Sequence, residues 1–115
     1  MIIPSGASVF VATQPVDFRK GAAGLMALVQ DGGADPFSGA LYVFRSKRAD
    51  RVKMVWWDGG GVCFFAKTLD EAGFHWPRIE NSVIRLSAAQ LMALVEGMDW
   101  TRVKALPVRQ PTSVG

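Results

Sequence analysis

The sequence predicts an α+β fold, an antiparallel β-meander sheet of four to five strands packed by two helices, and three observations predict it. Between residues 40 and 67, three runs rich in Val and aromatic residues follow one another across loops too short for a parallel crossover. Two stretches, 17–30 and 87–98, carry apolar residues at helical spacing. The chain has 115 residues, 50% of them hydrophobic, which suffices for one core and leaves little room for a second domain.

Ser8 to Ala12 is a short apolar run bounded by Pro4-Ser5-Gly6 and Gln14-Pro15, and it reads as a buried strand. Asp17 offers an N-cap, and Phe18, Ala22, Leu25 and Val29 follow at helical spacing, so an amphipathic helix is expected over 17–30. Gly21 and Gly24 each weaken it by about 1 kcal/mol relative to Ala. Gly32-Gly33 ends it, and Asp35-Pro36-Phe37-Ser38-Gly39 has the composition of a turn.

The meander takes Ala40 to Arg45, Arg51 to Trp57 and Val62 to Lys67. Ser46 to Asp50 separates the first two runs. Asp58-Gly59-Gly60-Gly61 separates the last two, a hairpin signal because glycine supplies the positive φ of tight turns. Leu69 to Asn81 is irregular, anchored by Phe74 and Trp76, and Val83 to Leu86 is a further short strand. Ser87 then opens a helix through a capping box with Gln90. Leu91, Leu94 and Val95 form its apolar stripe, Met98 lies one turn further, and Gly97 marks the stop. The domain is expected to span 1–100. Residues 101–115, with Pro107 and Pro111, are expected to form a mobile tail.

Pairing across the Ser46–Asp50 loop can be set with Arg45 opposite Arg51. Phe44 then faces Val52, Tyr42 faces Met54, and Trp56 extends an apolar face expected to be the core. The other face carries Leu41, Val43, Val55 and Trp57, with Arg45, Arg51 and Lys53 at one end. A slip of one residue exchanges these sets.

Net charge is only +3, but its distribution is uneven. From Arg45 to Lys53 there are five cations (Arg45, Lys47, Arg48, Arg51, Lys53) and one anion (Asp50), a net of +4. The other 106 residues hold eight cations and nine anions. A local basic cluster is the footprint of a polyanionic partner, and Trp57 on the same face offers a ring for a base or sugar. Five phosphate contacts would give a slope of roughly −4.5 in log K against log salt. The alternative is a solvated basic rim with Trp57 packed under a helix. Arg19-Lys20, in the first turn of the first helix, is a second basic site; local pairing with Asp17 also accounts for it.

Catalytic constellations are thin. The single Cys63 excludes an internal disulfide, and with only His75 beside it there is no Cys/His metal cluster. Ser5, Ser38 and Ser46 sit in loops without a nucleophile elbow. Asp35 and Asp58 have turn explanations, Asp70-Glu71 reads as a solvated pair, and Gly59–Gly61 lacks the lysine of a phosphate-binding loop. No enzyme activity, cofactor, metal or small-molecule substrate is expected. Without a long apolar run or a signal-peptide pattern, the expectation is a soluble cytoplasmic protein with no membrane partner.

Several motifs occur in fixed order. They are Asp17-Phe18-Arg19-Lys20-Gly21, Asp35-Pro36-Phe37-Ser38-Gly39, Val43-Phe44-Arg45, Asp50-Arg51-Val52-Lys53 and Trp57-Asp58-Gly59 with Cys63 and Lys67. Phe74-His75-Trp76-Pro77, Gln90-Leu91 and Glu96-Gly97-Met98-Asp99-Trp100 complete the series. From about Pro4 to Trp100 the chain resembles TnpB, the second-open-reading-frame accessory protein of the insertion sequence 66 family of bacterial transposable elements. Two positions depart from that pattern: Gly32-Gly33, where relatives usually continue the helix, and Thr68, where a basic residue commonly follows Lys67. The resemblance implies a non-catalytic factor for transposition, acting with a separate transposase that holds the catalytic residues. Two functional readings follow. In one, Arg45, Lys47, Arg48, Arg51 and Lys53, helped by Arg19, Lys20 and Trp57, contact element-end DNA. In the other, the chain is an adaptor that docks on the transposase without touching DNA.

Overall fold

The computed structural model describes residues 6–70, 73–78 and 83–103. Along the chain run β1 (Val9–Ala12), α1 (Ala22–Asp31), β2 (Leu41–Arg45), β3 (Arg51–Trp57), β4 (Val62–Thr68), β5 (Val83–Leu86) and α2 (Ala88–Val95). A 3-10 turn, Trp100–Arg102, follows. The strands form one sheet in the order β4-β3-β2-β1-β5. This is the expected α+β fold with five strands and two helices, and the sheet is mostly antiparallel. Among the described residues its single parallel pair is β1 with β2, Val9 lying opposite Leu41 and Val11 opposite Val43. The connection between them contains α1, which supplies the length a parallel crossover needs.

The first helix starts later than its apolar spacing suggested. Asp17 does not cap it: Gly21 occupies the N-cap position without a side-chain hydrogen bond. Instead the Asp17 carboxylate accepts the Arg19 backbone N–H at 2.9 Å, and the Lys20 N–H donates to the Asp17 carbonyl at 3.0 Å, closing a separate turn. A helix from residue 17 would need the Phe18 and Lys20 carbonyls for its own ladder. Both are taken by the Lys53 ammonium, at 2.6 and 3.0 Å. Arg19 and Lys20 therefore precede the helix and lie outside its first turn. Helix α1 ends as the glycines suggested: Gly33 has φ +90°, and Ala34 N–H reaches back to the Val29 carbonyl at 3.2 Å.

The β2–β3 register also differs from the pairing first set. Arg45 lies opposite Val52, Phe44 opposite Lys53, Val43 opposite Met54 and Tyr42 opposite Val55. The cause is local. Ser46 N–H donates to the Arg51 carbonyl at 3.1 Å, and the Ser46 hydroxyl accepts the Arg51 N–H at 3.2 Å while donating to Asp50 at 3.0 Å. Ser46 thereby pairs with Arg51 and shortens the loop to four residues. Because side chains alternate, this one-residue shift exchanges the two faces of β2.

Both faces of the sheet are consequently buried at its centre. Leu41, Val43, Val52 and Met54 join Val9, Val11 and Leu86 beneath Leu91, Leu94 and Val95 of α2, with Phe74 in the same cluster. Tyr42, Phe44 and Val55 pack on the opposite side against Leu25, Met26 and Val29 of α1. Coverage from both sides explains why β2 reads as an unbroken apolar run rather than an alternation.

The turn motifs are architectural. Asp35 accepts the Phe37 N–H at 2.9 Å, and its carbonyl accepts the Tyr42 hydroxyl at 3.0 Å, tying the end of α1 to β2. Ser87 and Gln90 form the expected capping box. Gly97, at φ +76°, reverses the chain after α2, so Met98 leaves the apolar stripe and is exposed. Of the expected tail, residues 101 and 102 lie in the 3-10 turn and the Val103 carbonyl accepts the Gln90 side chain at 3.2 Å. Residues 104–115 lie outside the described residues, as does the stretch of the Leu69–Asn81 segment at 71–72 and 79–81.

Candidate nucleic-acid interface

The β2–β3 hairpin tip is held on three sides. Ala49, at φ +59°, stands in the left-handed region, and its N–H donates to the Ser46 carbonyl at 3.0 Å. Its carbonyl accepts the Phe74 N–H at 2.7 Å, the Asp50 carbonyl accepts the Leu69 N–H at 2.8 Å, and the Arg45 carbonyl accepts the Val16 N–H at 3.0 Å. Gly73 passes so close that a Cβ there would stand 3.1 Å from the Ala49 carbonyl oxygen. The tip is a braced projection, and it presents Lys47, Arg48 and Arg51 to solvent.

The other cations of the cluster are engaged with the chain itself. Arg45 donates from Nε to the Thr13 carbonyl at 3.2 Å and from Nη1 to the Ser46 and Lys47 carbonyls at 3.4 Å each. Besides its two carbonyl partners, the Lys53 ammonium sits 4.5 Å from the centre of the Phe18 ring and 5.7 Å from that of Phe64. It is a tether between β3 and the segment before α1. That tether brings the Phe18–Lys20 backbone to Lys53, on the sheet face that Val55 shares and α1 covers, while Arg45 lies on the face that Val43 shares and α2 covers.

Arg19 is fully at the surface and clamps Asp17 through Nε and Nη2, the shortest contact being 2.8 Å. That guanidinium and the Arg19 N–H hold the Asp17 carboxyl down at about 2. Lys20 is exposed. Trp57 stands four residues beyond Lys53 on the same face, about 13 Å away at strand rise. It is half-buried against the α1 cluster, and Phe37 meets its ring edge-on at 5.4 Å. The structure thus gathers Lys47, Arg48 and Arg51 at one end of the hairpin and places Trp57 at the other.

Cys63 is a strand residue whose thiol donates to Asp58 at 3.4 Å; desolvation first, then that carboxylate, push its pKa up, away from a reactive thiolate. Asp58 itself is held below the ordinary range by the Gly60 and Gly61 N–H groups, each at 2.8 Å. Among the described residues no group of three or more His, Cys, Asp or Glu side chains could hold a metal ion, and no helix is long and apolar enough to cross a membrane.

One feature beside the tip escaped the sequence reading. A groove of about 1140 Å³ opens between the hairpin tip, the segment after β1, residues 73–78 and the 3-10 turn. Arg45, Arg48, His75, Trp76, Arg78 and Trp100 line it. The only cue was the interleaving of aromatic and basic types in Phe74-His75-Trp76-Pro77-Arg78, and Trp100 is brought there from a remote part of the chain.

The fold and site define a small mixed-sheet α+β protein with a braced cationic hairpin at one end of its sheet. The chain belongs to the IS66 Orf2-like protein family, whose model matches residues 7–105. An uncharacterized protein of Sinorhizobium fredii, y4jC, is 47% identical over 116 residues, covering 99% of each chain. A second uncharacterized protein of that organism, y4hO, is 38% identical over 117 residues, covering 99% of this chain and all of its own. No solved structure matches. Membership of the family links the chain to insertion-sequence transposition.

Proposed function

We propose that this protein is a non-catalytic accessory factor in the transposition of a bacterial insertion sequence, contacting DNA through the β2–β3 hairpin and acting beside a separate transposase. The observation that carries the DNA contact is the braced tip, with Lys47, Arg48 and Arg51 exposed and the surrounding backbone tied by hydrogen bonds. A cationic projection whose backbone is pre-ordered meets phosphates with little backbone entropy left to lose. With Arg45 and Lys53 engaged by carbonyls, three cations remain, so the salt slope falls from roughly −4.5 to about −2.7.

The adaptor reading has its own support. The edge strand β4 exposes Val62 and Phe64 at 43% and 44%, and Phe37 is exposed at 57%, an apolar surface suited to a protein partner. Titrating purified protein with element-end DNA at several salt concentrations separates the two. The DNA reading expects salt-sensitive binding that Arg48→Ala/Arg51→Ala weakens, with the slope reduced by about 1.8. Absence of salt-sensitive binding at micromolar protein favours the adaptor.

A further inference from the structure

We propose that the groove between the hairpin tip and residues 73–78 holds an unpaired DNA strand. The proposal deepens the DNA-contact reading and rests on it, since Arg48 belongs both to the tip and to the groove. The groove's volume, about 1140 Å³, exceeds the ~300–1,000 Å³ usual for small-ligand pockets, which suits a stretch of polymer.

Its chemistry is that of a strand whose bases are bare. Two indole rings line it, and each is fixed by its N–H: Trp76 donates to the Ala12 carbonyl at 3.0 Å and Trp100 to the His75 carbonyl at 2.5 Å. Both tryptophans remain half-buried rather than sunk in the core, so part of each ring borders the groove. Exposed His75 adds a third ring. Rings held in place are stacking platforms for bases, which a duplex keeps stacked inside itself.

Cations complete the match. Arg48 and Arg78 are exposed at the groove, and among the described residues the ion pairs use Arg19, Lys67 and Arg102 instead. Among the described residues of the lining the one carboxylate, Asp99, is already occupied by the Thr101 N–H and hydroxyl and by Arg102. The described lining residues are therefore net positive with Asp99 engaged, which complements phosphates. The projecting tip can lie on a duplex backbone, whereas the rings of the recess need bases that are not already stacked in a duplex.

Full-length protein is titrated with fluorescein-labelled oligo(dT) of about 12 nucleotides and, separately, with a duplex of about 20 base pairs, reading anisotropy and tryptophan fluorescence. Oligo(dT) is expected to bind with quenching of tryptophan emission. Arg78→Ala is expected to reduce the single-strand salt slope by about 0.7. Trp100→Phe, which keeps a ring but a smaller one without the N–H, is expected to weaken oligo(dT) binding about five-fold. Neither is expected to alter duplex binding, which Arg48→Ala/Arg51→Ala weakens. Duplex binding without oligo(dT) binding overturns the groove proposal and leaves the hairpin reading standing, as does oligo(dT) binding that neither Arg78→Ala nor Trp100→Phe changes. Failure of both DNAs to bind overturns the hairpin reading and this proposal together. Arg78 is a surface residue, so its variant tests the groove even if Trp100→Phe unfolds.

Discussion

Lys53 illustrates how tertiary contacts reassign a charge. Its ammonium holds the Phe18 and Lys20 carbonyls and lies over the Phe18 ring. Lys53→Met keeps the apolar stem and removes only the charged group. Taking about 1.5 kcal/mol for each charged hydrogen bond and about 0.5 kcal/mol for the ring contact, the loss is roughly 3.5 kcal/mol. Typical urea dependences of 1–3 kcal/mol per molar translate this into a midpoint lower by at least about 1 M. Urea unfolding followed by tryptophan fluorescence reads the shift, and the DNA salt slope measured in parallel should not change. An unchanged midpoint with a slope reduced by about 0.9 would mean that Lys53 meets a phosphate, and the tether would be refuted.

Three further outcomes follow from the geometry. Asp17 should titrate near 2 in a carboxyl NMR experiment and return toward the ordinary aspartate range in Arg19→Ala. Because its folded value lies below the unfolded one, its stabilising contribution is complete above about pH 4 and is lost as pH falls through about 2; the exposed pair makes that contribution small and salt-sensitive. Ser87→Ala removes the hydroxyl that accepts the Gln90 N–H at 3.1 Å and should cost about 1 kcal/mol in chemical denaturation. Gly97→Ala should cost about 1–2 kcal/mol by the same measurement, since φ is +76° and the new Cβ would stand 3.1 Å from a Leu69 methyl.

The elements with local cues were legible beforehand. The glycines after α1, the Asp58 hairpin and the Ser87–Gln90 capping box each complete their hydrogen bonds within a few residues, so composition and spacing suffice to find them. The ordered motifs likewise led to the right family, because residues that brace turns, such as Asp35 and Gly97, stand at fixed places in the chain. The start of α1 was misplaced because a residue 35 positions away decides it: Lys53 takes the carbonyls that a longer helix would use.

The β2–β3 register turned on one hydroxyl. Ser46 can stand in a loop or pair with Arg51, and periodicity cannot choose between these when both faces of β2 are apolar. The charge cluster was visible as charge, yet which cations are available was not. Sequence counts ammonium and guanidinium groups, whereas the fold sets backbone carbonyls against Arg45 and Lys53 and leaves Lys47, Arg48 and Arg51 in water. The aromatic groove belongs to the tertiary level, because its walls come from five separate stretches of chain that meet only when the segments on the α2 side of the sheet come together.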